Sequence, residues 1–220
     1  MNNNFKFNGI TGAELKFLAI IAMVIDHMGA VLYPQQLILR YIGRLSFPIL
    51  CFVLVEGFFH TRNVYKYVMR LGVFALVSEM PYDLAFSNEF LNWDKQNVFF
   101  TLCLGIATLY LLECTKSNWE RVIYIIFAIF FAEMLKSDYG AFGLLLIIWF
   151  YMLYDDKAWK LAGGALWSFY NGIGIQSYGA LAMIPIAFYN GKRGKQLKYI
   201  FYLFYPVHLL LLYQIRKIWL

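Results

Sequence analysis

Charge is scarce in this chain. Asp, Glu, Lys and Arg make up 15% of the 220 residues, against about a quarter in a typical soluble domain. That deficit excludes an ordinary water-solvated exterior, and no nucleic-acid partner is expected. Cysteine is scarce as well. Cys51, Cys103 and Cys114 lie in or at the ends of apolar runs, with no CxxC spacing. Three scattered thiols exclude a disulfide framework and a zinc site; they read as small buried hydrophobes, and no metal is expected. Internal repeats and low-complexity tracts are not apparent.

What is abundant is apolar: 61% of residues are hydrophobic, and the mean hydropathy is +0.58. A spanning helix needs about 20 mostly apolar residues. Nine segments qualify as candidates, at about 14–33, 38–60, 64–86, 98–115, 119–136, 140–154, 158–171, 177–189 and 198–216. The sixth to eighth are short enough to be tilted, broken or re-entrant. Connections of a few residues leave no room for a separate soluble domain. The reading is an all-α membrane protein: residues 1–220 as a single domain, a polytopic bundle of about nine transmembrane helices. The first segment is too long for a cleaved signal peptide, and no small-residue cleavage pattern follows it.

Basic residues collect at cytoplasmic ends of membrane proteins. With the N-terminus inside, 13 of the 19 basic residues fall inside: Lys6, Lys16, Arg62, Lys66, Arg70, Lys116, Arg121, Lys157, Lys160, Lys192, Arg193, Lys195 and Lys198. A cytoplasmic N-terminus follows. Nine passes then put the C-terminus outside, and Arg216 and Lys217 weigh against that.

The few ionisable groups inside the apolar runs are the candidates for function. His27 follows Lys16 by 11 residues, which on a helix is three turns plus about 20° and a rise of about 16 Å. The two share a face, and His27 lies past the midplane. Its neighbour Asp26 points elsewhere, because adjacent helical residues do not face each other. Asp26 stands nine residues before Gln35 and Arg44 nine after. A hairpin centred there predicts an Asp26–Arg44 pair, the alternative being that both face a wet cavity. Glu79 and Asp83 share a face of the third segment with Pro81 between them, and Glu133 and His208 fall at a similar depth. Seven groups at one level would make a polar chamber. His208 and Glu133 read equally as structural. At the inner side, Glu56, His60, Arg62, Lys66, Arg70 and the bases of NGKRGK form a second cluster, which elsewhere most often sets topology or meets lipid headgroups.

The segments LKFLAIIAMVIDHMGAVLYP, LRYIGRLSFPILCFVLVEGFFHTRN, SEMPYDLAF, QNVFFTL and DYGAFG resemble the TraX family, named for the F-pilin acetylase. The resemblance covers most of the chain in the family's order. It implies a bacterial inner-membrane acetyltransferase that acts on the N-terminal amine of a pilin-like peptide. The family is in turn similar to membrane acyltransferases of surface sugars, which carry a basic residue, ten intervening residues and a catalytic His on the first helix. Lys16 and His27 match that spacing, with Lys replacing the more usual Arg and so losing its planar fork.

On this reading cytoplasmic acetyl-CoA is the donor, held by Lys16, Arg44, His60, Arg62, Lys66 and Arg70. His27 is the general base, with an ordinary pKa of about 6.5, and Asp26, Glu79 and Asp83 complete the catalytic group. Glu79 or Asp83 is expected to fix the His27 tautomer. Oxyanion donors are sought among Gln96, Asn97, Tyr82 and Tyr139. The acceptor, peptide amine or glycan hydroxyl, arrives at the outer face. A small proton-coupled transporter is the competing class, since acid and His chains also serve proton relays. A non-catalytic membrane assembly factor is the third.

Overall fold

A computed structural model describes residues 8–170, 174–195 and 198–219, the side chain of Lys198 excepted. Lys6 and that side chain, both counted above as inside charges, lie outside the described residues. The described chain is helical: α1 (Gly12–Val31), α2 (Leu37–Gly43), α3 (Ser46–Phe59), α4 (Val64–Phe86), α5 (Val98–Cys114), α6 (Asn118–Met134), α7 (Gly140–Met152), α8 (Lys157–Tyr170), a 3-10 helix (Ile175–Ala182), α9 (Met183–Ala187) and α10 (Lys198–Trp219). With α2 running into α3, and the 3-10 helix into α9, these are nine helical segments among the described residues. The expected second and eighth helices are thus each in two pieces.

Local chemistry sets the boundaries. Thr11 and Glu14 form a capping box at the start of α1: the Thr11 hydroxyl accepts from the Glu14 amide, and the Glu14 carboxylate accepts from the Thr11 amide at 2.7 Å. Asn63 caps α4 through the Lys66 amide at 2.8 Å, and Asn97 caps α5 through the Phe99 amide at 3.0 Å. Pro48 and Pro185 stand in first turns, where a missing amide costs little. Pro81 and Pro206 sit inside α4 and α10, so each deprives a carbonyl four residues back of its helical partner.

Among the described residues, only Leu37–Phe59 is both long and apolar enough to cross a membrane. The helices α1, α4 and α10 have the length, at 20, 23 and 22 residues, but carry the charges that lower their hydropathy. The apolar helices α5 and α7, and Ile175–Ala187, are shorter.

The first and last helices run the same way. Phe17 meets Phe201 with ring centroids 5.1 Å apart, and His27 meets His208 further along. The helix α4 is parallel to both, with Phe74 against Tyr202 and the carbonyl of Ala85 accepting from Arg216. Helical segments that alternate in direction along the chain give such an arrangement. Arg216 donates to the carbonyls of Leu84 and Ala85 and to Asn88. It closes the C-terminus of α4, where a cation is favoured.

The core is a continuous apolar cluster drawn from α1, α3, α4, α5, α7, α9 and α10, with Ala182 of the 3-10 helix. The exterior is apolar too: α6 presents Ile123, Ile126, Phe127 and Phe130, and α10 presents Tyr199, Leu203, Val207, Leu211 and Ile215. Contact between α1 and α2 depends on two glycines. A methyl group at Gly29 would lie 2.7 Å from Cβ of Leu39, and one at Gly43 would overlap the side chain of Asp26. Small residues at such crossings let backbones approach. Gly43→Ala is expected to cost about 1–3 kcal/mol by overpacking, read as a lower unfolding temperature in detergent; an unchanged midpoint would show that the crossing tolerates a side chain.

Candidate active site

Asp26 is 7% exposed and is gripped from α2 and the turn after it. The Arg44 guanidinium donates to both carboxylate oxygens, through Nε at 3.1 Å and through Nη2. Arg40, one turn earlier, donates Nη1 to the same carboxylate at 2.8 Å and to the Asp26 carbonyl at 3.0 Å. The expected Asp26–Arg44 pair therefore forms, with a second arginine added. Arg44 also donates to Gln176 at 3.1 Å, which ties the 3-10 helix to the cluster. This places Arg44 with Asp26, away from the bases expected to hold a nucleotide.

His27 turns the other way. Its Nδ1 lies 2.7 Å from Nε2 of His208, with the rings 5° from parallel. Nδ1 of His208 lies 2.9 Å from the Phe204 carbonyl. Phe86 and Tyr205 meet the His27 ring edge-on. Glu79 or Asp83 is the residue expected to fix its tautomer; the group within hydrogen-bond distance of the ring is instead His208. Glu79 instead accepts from the side chain of Asn97, and Asp83 accepts from the Asn92 amide at 2.8 Å. Each steadies the approach to a helix end. Glu133 is exposed and accepts from the Ala141 amide at the start of α7. The seven groups expected at one chamber thus divide: Asp26, His27, Arg44 and His208 gather, while Glu79, Asp83 and Glu133 hold local backbone or caps. The rotation of each helix about its axis was not legible in the sequence.

Three cavities lie in series from one end of the bundle to this cluster. The first is a basin of about 460 Å³ whose walls include Lys16, His60, Arg62, Lys66, Arg70 and Arg193. The second, of about 120 Å³, is apolar, lined by Ile20, Leu54, Leu71, Phe99, Leu102 and Phe201 among others. It shares Lys16, Tyr67 and Tyr202 with the basin. The third is a small chamber of about 30 Å³, walled by Asp26, His27, Ser46, Phe47, Asp138 and Tyr139. It shares Met23, Leu50, Val98 and Tyr205 with the apolar passage. Glu56, beside the basin, accepts from the hydroxyls of Tyr189 at 3.0 Å and Tyr154 at 3.3 Å.

Of the expected oxyanion donors, Tyr139 lines the chamber, Asn97 is engaged with Glu79 and the Ala75 carbonyl, and Gln96 and Tyr82 do not line it. Sequence reasoning missed Arg40, Asp138, Gln176 and Tyr205. Arg40 had a signal, since it stands four residues before Arg44 on one helix face. Asp138 pairs with Lys95 at 2.6 Å across two loops, a contact no periodicity reveals. Among the described residues no three His, Cys, Asp or Glu side chains gather as metal ligands.

Fold and cavities together define an all-helical protein with a small polar chamber beside His27, and an apolar cavity between that chamber and a basic basin. The chain belongs to the TraX protein family, whose sequence model matches residues 11–216. It is 32% identical to the probable fimbrial assembly protein FimC, serogroup H1, of Dichelobacter nodosus, over 96% of this chain and 97% of that protein. It is 28% identical to Protein TraX of Escherichia coli, over 67% of this chain and 59% of that protein. The chain thus spans nearly all of the first relative and about three fifths of the second. No solved structure matches it.

The Asp26 cluster invites a coupling measurement. Arg44 is 7% exposed and grips both oxygens, whereas Arg40 is 24% exposed. Double-mutant cycles on thermal unfolding of Asp26→Asn with Arg44→Gln, and with Arg40→Gln, should give the larger coupling for Arg44. Asp26→Asn alone should cost about 3 kcal/mol or more, because the buried Arg44 and the half-buried Arg40 lose their anion. Equal, near-zero couplings would mean the cluster holds nothing together.

Proposed function

We propose that the protein is a bacterial inner-membrane acetyltransferase that takes acetyl groups from cytoplasmic acetyl-CoA and passes them to an acceptor at the opposite face. The single observation that carries this reading is the series of cavities from the basic basin through the apolar passage to His27. Family membership supports it, and so does the spacing of Lys16 and His27 on α1.

The pieces match the donor's chemistry. Coenzyme A carries phosphates at one end, a long flexible arm and a thioester at the other. The basin, with Lys16, Arg62, Lys66, Arg70 and Arg193 on its walls, suits phosphates through charge-assisted hydrogen bonds. The apolar passage suits the arm. Lys16 to His27 is a rise of about 16 Å along α1, comparable with that arm extended. At the chamber, His27 takes a proton from the acceptor amine or hydroxyl as its N or O bonds to the thioester carbon. The C–S bond then breaks, and the departing thiolate takes the proton from His27. The products are the acetylated acceptor and free thiol. Such a base contributes about 10²–10⁴-fold to rate. Tyr139, on the chamber wall, donates to the developing oxyanion. Acetyl transfer so needs no metal.

The apolar exterior supports embedding in a bilayer, since exposed apolar surface on this scale is foreign to a soluble monomer. The basic basin, which shares its end of the bundle with the start of α1, supports a cytoplasmic N-terminal end. The relative named for fimbrial assembly supports a pilin-like peptide with a free amine as acceptor, ahead of a surface glycan.

The test uses purified protein in nanodiscs with labelled acetyl-CoA and an envelope extract. Acetyl-CoA should raise the unfolding temperature and label an acceptor. Arg62→Ala and Arg70→Ala should each raise KM for acetyl-CoA about tenfold, a loss of about 1.4 kcal/mol, with kcat little changed. His27→Ala should bind acetyl-CoA yet lose nearly all turnover. If acetyl-CoA neither stabilises nor labels, a carrier takes its place; if His27→Ala keeps its turnover, the chamber is not where transfer occurs.

A further inference from the structure

His27, on the chamber wall, and its partner His208 come from opposite ends of the chain, 181 residues apart, and their hydrogen-bond chain has a direction. We infer that His208 is a positioning residue that holds His27 in the tautomer with Nδ1 protonated and Nε2 bare, so that Nε2 is the atom that accepts the acceptor's proton. The inference deepens the acetyltransferase reading and rests on it for its catalytic meaning.

The direction follows from what each atom is able to do. The Phe204 carbonyl only accepts, and it lies 2.9 Å from Nδ1 of His208; the hydrogen between them is therefore on that nitrogen. A neutral imidazole has one N–H and one lone pair, so Nε2 of His208 is an acceptor. Nδ1 of His27, 2.7 Å away, must then donate. A neutral His27 with its hydrogen on Nδ1 has its lone pair on Nε2. The anchor is intrahelical, four residues back along α10, so it moves with His208 as one unit. His208 is 6% exposed, stacked on Phe204 with ring centroids 4.9 Å apart, and has little freedom to turn.

The arrangement does for His27 what a carboxylate does in a catalytic triad, with a neutral partner. When Nε2 takes a proton, His27 becomes a cation whose Nδ1–H is already directed at a lone pair. Asp26, the nearest acid in sequence, is not available for this task, because Arg40 and Arg44 hold it on another face.

Two measurements test this, one of them independent of activity. The chain has three histidines, His27, His60 and His208, so selective 15N labelling of histidine gives a spectrum of three rings, assigned with His60→Gln and His208→Gln. The full-length protein in nanodiscs should show His27 protonated at Nδ1 and bare at Nε2; the reverse tautomer overturns the inference even if the protein is an acetyltransferase. The second compares His208→Phe, which keeps a ring without an acceptor, with His208→Gln, whose amide oxygen accepts from Nδ1–H. His208→Phe should lower kcat by about 10²-fold or more at an unchanged KM for acetyl-CoA, and His208→Gln should return to within about tenfold of the parent. Equal losses in both, or none in His208→Phe, overturn the inference. If His208→Phe fails to fold, the tautomer spectrum of the parent protein still decides. Failure of acetyl transfer in the parent protein itself would instead remove the underlying reading.

Discussion

Two arginines close on one buried carboxylate, and much of the far end of the bundle is arranged round that contact. A charge taken out of water is stable only when paired and hydrogen-bonded. Asp26 meets that condition by drawing Arg40 and Arg44 onto α1. The consequences are structural. The helix after the hairpin is interrupted between Gly43 and Ser46, at the place where the chain must present Arg44 to Asp26. Gly43 is bare because Asp26 occupies the space a side chain would need. Gln176 joins through Arg44, which brings the 3-10 helix to the same point. His27, one residue along, is turned by about 100° and so faces α10 and not the arginines.

The interior is graded along the bundle. A basic basin gives way to an apolar passage and then to a small chamber with polar walls. Each zone shares residues with the next, so the gradient is continuous. Charge is confined to the ends, where water or paired ions stabilise it, and the middle is left to aliphatic and aromatic side chains. In a chamber of this size hydrogen bonds act in a low dielectric and are correspondingly stronger. The same condition makes the direction of a single N–H consequential, because an unpaired ring nitrogen there would be costly.

Glu79 and Asp83 show how function and structure compete for an acid within an apolar run. Both stand on α4 at spacings that place them on one face, and both had been expected near His27. They bind Asn97 and the Asn92 amide. Asn97 in turn caps α5, so Glu79 braces the capping residue that starts the next helix. An acid inside an apolar run is thus a strong sign of a polar partner and a weaker sign of catalysis. The hydrogen-bond partner of His27 is another histidine, His208, which the sequence reads evenly as structural or functional.

What the sequence by itself determined is what a single helix contains. The nine apolar segments, the shared face and separation of Lys16 and His27, and the need of Asp26 for a cation from across its hairpin all follow from helical period, hairpin length and the cost of a bare charge. These are local quantities, and the tertiary structure kept them. Which way each helix faces its neighbours was decided only on folding. The meeting of His27 with His208, the addition of Arg40, the pairing of Lys95 with Asp138 and the outward turn of Glu133 depend on how helices rotate to fit their small and large side chains together. No spacing within one segment encodes that rotation, because it is set by packing against residues far away along the chain.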